Sequence, residues 1–141
     1  MRVVLDTNSL LVSIGSKSKY RPIFDALLNG VITLLITNDI INEYVEIIGQ
    51  RTNAIVADNA SDLLMSSPSV EKVKVYFKWS IISQDADDNK FVDCALNGRA
   101  SFLVTDDKHF NVLKDIGFPP VQIIRTKDFL KEVEKLQKLK E

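Results

Sequence analysis

Acidic residues stand just beyond short apolar runs at several points of the chain. Asp6-Thr7-Asn8 follows Val3-Val4-Leu5, and Asp107 follows Phe102-Leu103-Val104 by way of Thr105-Asp106. The stretch Asp85-Ala86-Asp87-Asp88-Asn89-Lys90-Phe91-Val92-Asp93 comes soon after Trp79-Ser80-Ile81-Ile82. Glu43 lies in Asn42-Glu43-Tyr44, beside the apolar positions Ile40 and Ile47. Two carboxylates 4 Å apart repel by roughly 4 kcal/mol at an effective dielectric of about 20, so a gathering of these acids needs protons or cations. Hard oxygen ligands suit Mg²⁺ or Mn²⁺, which leave coordination positions for a phosphate and a water. One or two such ions at a set of carboxylates promote hydrolysis of a phosphodiester.

The elements that must position these acids alternate between two kinds. Val3-Val4-Leu5, Val31 to Ile36, Tyr76 to Ile82, Phe102-Leu103-Val104 and Val121 to Ile124 read as buried strands. Helices are expected from Arg21-Pro22 to the Asn29-Gly30 stop, after a Thr37 or Asn38 cap through Ile48, and from about Asn53 to Met65. Further helices are expected from Asp87 or Asp88 to the Asn97-Gly98 stop and over His109 to Asp115, with an amphipathic tail at about 127–139. Strands alternating with helices imply a mostly parallel sheet covered on both sides, in one domain spanning 1–141. Ligands of such sheets bind beyond the carboxyl ends of the strands, where Asp6, Asp107 and the aspartate cluster fall.

Helical register divides the cluster. Asp88, Phe91, Val92 and Ala95 share one face, so Asp88 lies on the buried stripe at its open end. Asp85 and Asp87 are explained by a turn and by favourable charge at a helix start. Asp93 sits about 140° around an ideal helix from Asp88, which makes it an auxiliary acid.

Composition bounds the setting. The 141 residues are 45% hydrophobic and 26% charged with a formal charge of −1, so a nucleic-acid partner requires the basic residues to be collected on one surface. One cysteine and one histidine exclude a thiolate zinc site and fit a reducing, cytoplasmic compartment. The first apolar run ends after Leu5, far short of a secretory or membrane-spanning segment. Cys94 reads as a small buried hydrophobe and Trp79 as core. His109 reads as a surface or packing residue, because a metal-dependent hydrolase needs no histidine base. Lysines interleave with glutamates in the tail, which makes a solvated face whose apolar stripe packs on the sheet or on a second subunit.

Taken together in this order, Val-Val-Leu-Asp6-Thr7-Asn8, Asn42-Glu43-Tyr44, Asp88-Asn89-Lys90-Phe91-Val92-Asp93-Cys94-Ala95 and Leu103-Val104-Thr105-Asp106-Asp107 resemble the acidic motifs of PIN-domain nucleases. More narrowly they resemble the toxin components of bacterial and archaeal toxin–antitoxin pairs. The resemblance runs from Val3 to about Ile124. It implies an α/β/α sandwich with a parallel sheet and Mg²⁺- or Mn²⁺-dependent cleavage of single-stranded or structured RNA. Residue by residue, it assigns Asp6, Glu43, Asp88 and Asp107 to metal binding. Asp93 matches an acid found in some members, and Asn8 and Thr105 match supporting polar residues. The T-x-D spacing selects Asp107 over Asp106. An inhibitory antitoxin protein and a homodimer are implied as partners. Two other classes stay open on the residues alone: a non-catalytic RNA- or protein-binding module, and a metal-dependent phosphatase. The latter wants an Asp-x-Asp at the first strand, where this chain has Asp6-Thr7-Asn8.

Overall fold

Short apolar runs form the strands because a parallel sheet buried on both faces leaves no polar side to alternate with. In a computed structural model, which describes residues 1–79, 86–115 and 121–140, these are β1 (Arg2–Leu5), β2 (Thr33–Ile36), β3 (Val70–Lys72), β4 (Phe102–Val104) and β5 (Gln122–Ile124). They form one sheet in the order β3-β2-β1-β4-β5, and all pairings are parallel. Val3 pairs with Leu34 on one side and Phe102 on the other, and Val104 lies between Leu5 and Ile124. The chain winds outward from β1 in both directions, so the switch in winding lies between β1 and β4.

Six α-helices among the described residues complete a three-layer α/β/α sandwich: α1 (Thr7–Ile14), α2 (Arg21–Leu28), α3 (Asn38–Arg51), α4 (Ala54–Ser66), α5 (Asn89–Asn97) and α6 (Thr126–Lys140). Helix α5 lies against β1, β2 and β4, α3 packs on α4, and α2 packs on α1 and α6. Thr37 caps α3 through Ile40 N at 3.2 Å, and Asn53 caps α4 through Val56 N at 2.9 Å. Gly30 ends the α2 turn at φ 77°. Gly98 has a different use: a Cβ there would come within 2.8 Å of Leu35 Cδ1 and 2.9 Å of Val73 Cγ2, while the left-handed backbone is taken by Arg99 at φ 55°. The core runs from Val3, Val4 and Leu5 through Leu34, Leu35 and Ile36 to Phe91, Leu103, Phe129 and Val133. Phe129 meets Phe102 edge-on at 6.1 Å and seats α6. The tail stripe is buried at Phe129 and Val133, whereas Leu139 is exposed.

Three expectations are corrected. The third strand is Val70–Lys72, and residues 73–79 are irregular; the rest of the expected strand, 80–82, and the Asp85 turn lie outside the described residues. The backbone amides of Tyr76 and Phe77 bond to Asn97 Oδ1 at 3.0 and 3.2 Å, and that of Trp79 bonds to Asp93 Oδ1 at 2.9 Å. Side chains of α5 thus take donors that a strand would give to a neighbour. Trp79 is accordingly on the surface, 42% exposed, and not in the core. The helix expected over His109 to Asp115 is a 3₁₀ helix, Lys108–Asp115, and α1, with Asp6 at its N-cap, is an additional element.

Candidate active site

Asp6 leaves the end of β1 as its backbone N–H donates to Val104 O at 3.0 Å, which extends the pairing with β4 by one residue. Its carboxylate is buried and accepts from Thr7 N at 2.7 Å and Thr105 Oγ1 at 2.8 Å. Two strand ends thereby fix one carboxylate across the switch point. Burial raises the Asp6 pKa above the ordinary carboxylate value; the bonds from Thr105 and Thr7 oppose this, and the charges of Asp107 and Glu43 add to it.

Glu43 arrives on α3, and its neighbour explains why it stops here. The fully buried Tyr44 donates its hydroxyl to Leu5 O at 2.5 Å, one residue before Asp6, and pins the middle of α3 to the end of β1. Glu43 Oε2 then accepts from the Thr7 hydroxyl, and Oε1 pairs with Lys90 Nζ at 2.5 Å. Lys90 comes from the first turn of α5, so one ion pair joins two of the sequence motifs.

Asp88 closes the site from a 3₁₀ turn, Ala86–Asp88, that leads into α5. It is buried, as is every residue from Phe91 to Leu96, so α5 is covered on more sides than the single expected face. Its Oδ2 lies 3.5 Å from His109 Nδ1, and the same nitrogen lies 3.4 Å from Asp107 Oδ1. One atom from each of Asp88, Asp107 and His109 can lie within 4.8 Å of the others. Asp107 is held from both sides: its N–H donates to Thr105 Oγ1 at 3.0 Å, and its Oδ1 accepts from His109 N at 2.9 Å.

Thr105 therefore touches two acids at once. Asp106 turns the other way and caps α6, accepting from Thr126 N and Thr126 Oγ1 at 3.0 Å each. Asp107 is the member of the pair that faces the other acids. Asp93 is buried, and its Oδ1 holds Trp79 N; burial raises its pKa, opposed by that bond and by the charge of Lys78. Asn8 is exposed on the first turn of α1, and the hydroxyl that reaches Glu43 belongs to Thr7.

Of the expected residues, Asp6, Glu43, Asp88, Asp107 and Thr105 come together at the switch point. Thr7 and Lys90 bind Glu43, and His109 bridges Asp88 and Asp107; sequence reasoning missed all three of these contacts. The available signal for His109 was its place two residues beyond Asp107, where a backbone bond to an aspartate turns the side chain back toward it. A metal ion fits the ligand atoms of Asp88, Asp107 and His109, which lie within 4.8 Å of one another. Asp6 stands beside that group, its pKa raised by burial and by the charges of Asp107 and Glu43, while Glu43 is paired with Lys90.

A PIN-domain family model matches residues 2–109 of the chain. Among solved structures, the PIN domain of human SMG5 superposes with a TM-score of 0.56 at 12% identity, over 94% of this chain and 99% of that one. The PIN domain endonuclease Utp24 superposes with a TM-score of 0.52 at 16% identity, over 87% of this chain and 84% of that one. At these identities the structures share the fold. A search of curated proteins gives no match.

Proposed function

This chain belongs to the PIN-domain family of nucleases, and from that premise we propose that it is a Mg²⁺- or Mn²⁺-dependent endoribonuclease, acting as the toxin of a toxin–antitoxin pair. The observation that supports the reading is the approach of Asp88, Asp107 and His109 within 4.8 Å, next to Asp6 and Glu43 through Thr105 and Thr7. When bound there, a divalent cation lowers the pKa of water and offsets the negative charge that develops on the phosphate. Asp6, Glu43, Asp88 and Asp107 hold it, with Asp93 as an auxiliary acid. Thr105 holds the Asp6 carboxylate and accepts from the Asp107 backbone N–H, and Thr7 donates to Glu43. Lys90 neutralises Glu43 in the metal-free protein. The His109 nitrogen beside two carboxylates favours Mn²⁺, since imidazole is a softer donor than Mg²⁺ prefers.

Basic residues border the acids on both sides, as an RNA substrate requires of a nearly neutral chain. Lys108, Lys114 and Arg125 line a cleft beside Asp107, and Lys78 and Lys90 line another beside Asp93. Labelled single-stranded RNA is expected to be cut in Mn²⁺, left intact in EDTA, and left intact by Asp6→Asn. Cleavage that survives EDTA or the substitution contradicts the mechanism. Absence of cleavage across a broad RNA panel leaves a binding module on the same fold. The toxin reading predicts that expression arrests growth of a bacterial host and that Asp6→Asn does not. Arrest by both proteins separates toxicity from catalysis.

A further inference from the structure

Between β3 and α5 the chain carries Lys72-Val73-Lys74-Val75-Tyr76-Phe77-Lys78-Trp79, with three lysines, three aromatics and no acid. Tyr76 is 76% and Phe77 68% exposed, and Trp79 is exposed beside Phe77, their ring centroids 6.3 Å apart. Large aromatics in an irregular segment normally fold under it, because each buries apolar area worth more than 1 kcal/mol. Here the backbone is held out. Asn97 accepts from Tyr76 N and Phe77 N and donates to Phe77 O at 2.9 Å, while the buried Asp93 fixes Trp79 N. Asn97 and Asp93 are one helical turn apart on α5 and bonded to each other through Asn97 Nδ2 and Asp93 O at 2.7 Å.

The position of this segment relative to the acids is also set. A cleft of about 310 Å³ is lined by Val75 and Lys78 from this segment and by Lys90 and Asp93 from α5, and Lys90 pairs with Glu43. The segment thus borders a cleft whose far wall includes Lys90, the partner of Glu43.

We propose that residues 72–79 are the track along which single-stranded RNA enters the site, its bases stacking on Tyr76, Phe77 and Trp79 and its phosphates meeting Lys72, Lys74 and Lys78. This rests on the ribonuclease reading and names the residues that guide its substrate. Every base offers a face to an aromatic ring and every linkage a negative charge, so the track selects unpaired strands with little regard for sequence. A protein partner would also cover exposed aromatics. The interleaved lysines and the cleft shared with Lys90 favour RNA.

Trp79 is the single tryptophan, so its fluorescence reports on this segment alone. The test titrates the full-length protein in EDTA with an oligouridine and with a duplex RNA of equal length, following both Trp79 emission and anisotropy of the labelled RNA. The single strand is expected to quench Trp79 and the duplex to do so only weakly. Tyr76→Ala, Phe77→Ala and Trp79→Ala are each expected to weaken binding by roughly fivefold or more, whereas Trp79→Phe keeps most of it. Replacing Lys72, Lys74 and Lys78 by Gln is expected to reduce the slope of log affinity against log salt by about 2. Unchanged affinity in the three alanine variants overturns the proposal, as does equal quenching by duplex. Aromatic variants that change the sedimenting mass while RNA affinity stays constant assign the surface to a protein contact and also overturn it. Because binding is read in EDTA, failure of metal-dependent cleavage leaves this result intact, and failure here leaves cleavage intact.

Discussion

Replacing Asp107 by Asn should make the metal-free protein more stable and the metal-loaded protein less so. The ligand oxygens of Asp88 and Asp107 lie within 4.8 Å of each other. At that separation two charges repel by about 3.5 kcal/mol at an effective dielectric of 20 and about 0.9 kcal/mol in water. Asp88 is buried but Asp107 is partly exposed, which places the relief from Asp107→Asn at about 1–2 kcal/mol. Asn keeps the oxygen that accepts from His109 N, so the local turn is preserved. For a chain of this length each kcal/mol moves the melting temperature by about 3–5 °C. In EDTA the variant should therefore melt roughly 3–10 °C above the wild type. Mn²⁺ at 100 times its dissociation constant should raise the wild type by about 2.7 kcal/mol and the variant far less, reversing the order. Thermal unfolding followed by circular dichroism reads both halves. A variant that melts below the wild type in EDTA, or gains as much from Mn²⁺, would refute the claim that these carboxylates are held together for a cation.

The same logic gives a pH dependence at Asp6. Its folded-state pKa is raised, so the folded state binds the proton more tightly, and metal-free stability falls as pH rises from the ordinary carboxylate value through the raised one. The stability deficit of the wild type against Asp6→Asn should be present at pH 7 and shrink toward pH 4 in EDTA; a constant difference in denaturant melts contradicts it. Lys90→Gln removes the cation that satisfies Glu43, so calorimetric Mn²⁺ affinity should rise several-fold while metal-free stability drops by about 1 kcal/mol; weaker Mn²⁺ binding would show that Lys90 does not compete with the ion. Tyr44→Phe deletes the bond to Leu5 O and should cost about 1–2 kcal/mol in urea melts and lower cleavage; full activity would mean that Glu43 is positioned otherwise. Burial pushes the Cys94 thiol up to about 12, so it should react with a thiol reagent only at the rate of unfolding; prompt labelling of the native protein contradicts its burial.

Much of this architecture was legible because buried parallel strands and capped helices leave strong local marks. Val3-Val4-Leu5, Leu34 to Ile36 and Phe102 to Val104 are continuous apolar runs, and Pro22, Thr37, Asn53 and Gly30 punctuate the helices where they are observed. Asp88 shares a register with Phe91, Val92 and Ala95, but Asp93, Cys94 and Leu96 are buried as well, so burial along α5 does not by itself select it. The misreadings share a cause in contacts distant along the chain. Tyr76 to Trp79 has the composition of a strand, and only Asn97 and Asp93, on another element, divert its backbone donors. The bonds from Thr7 and Lys90 to Glu43, and the approach of His109 to Asp88, likewise join residues that no local pattern relates. Asp6 caps α1 through Thr7 N and accepts from Thr105 with the same carboxylate, so its residue type alone does not separate a cap from a ligand.

The central claim is that Asp6, Glu43, Asp88 and Asp107 hold a cation that turns water on an RNA phosphodiester. Cleavage of single-stranded RNA in ¹⁸O-labelled water, with Mn²⁺ and a single turnover, tests it directly. The account predicts a phosphate monoester carrying one ¹⁸O, no 2′,3′-cyclic phosphate, and no product with Asp6→Asn or in EDTA. A cyclic phosphate without label, or cleavage that persists without metal, would contradict it.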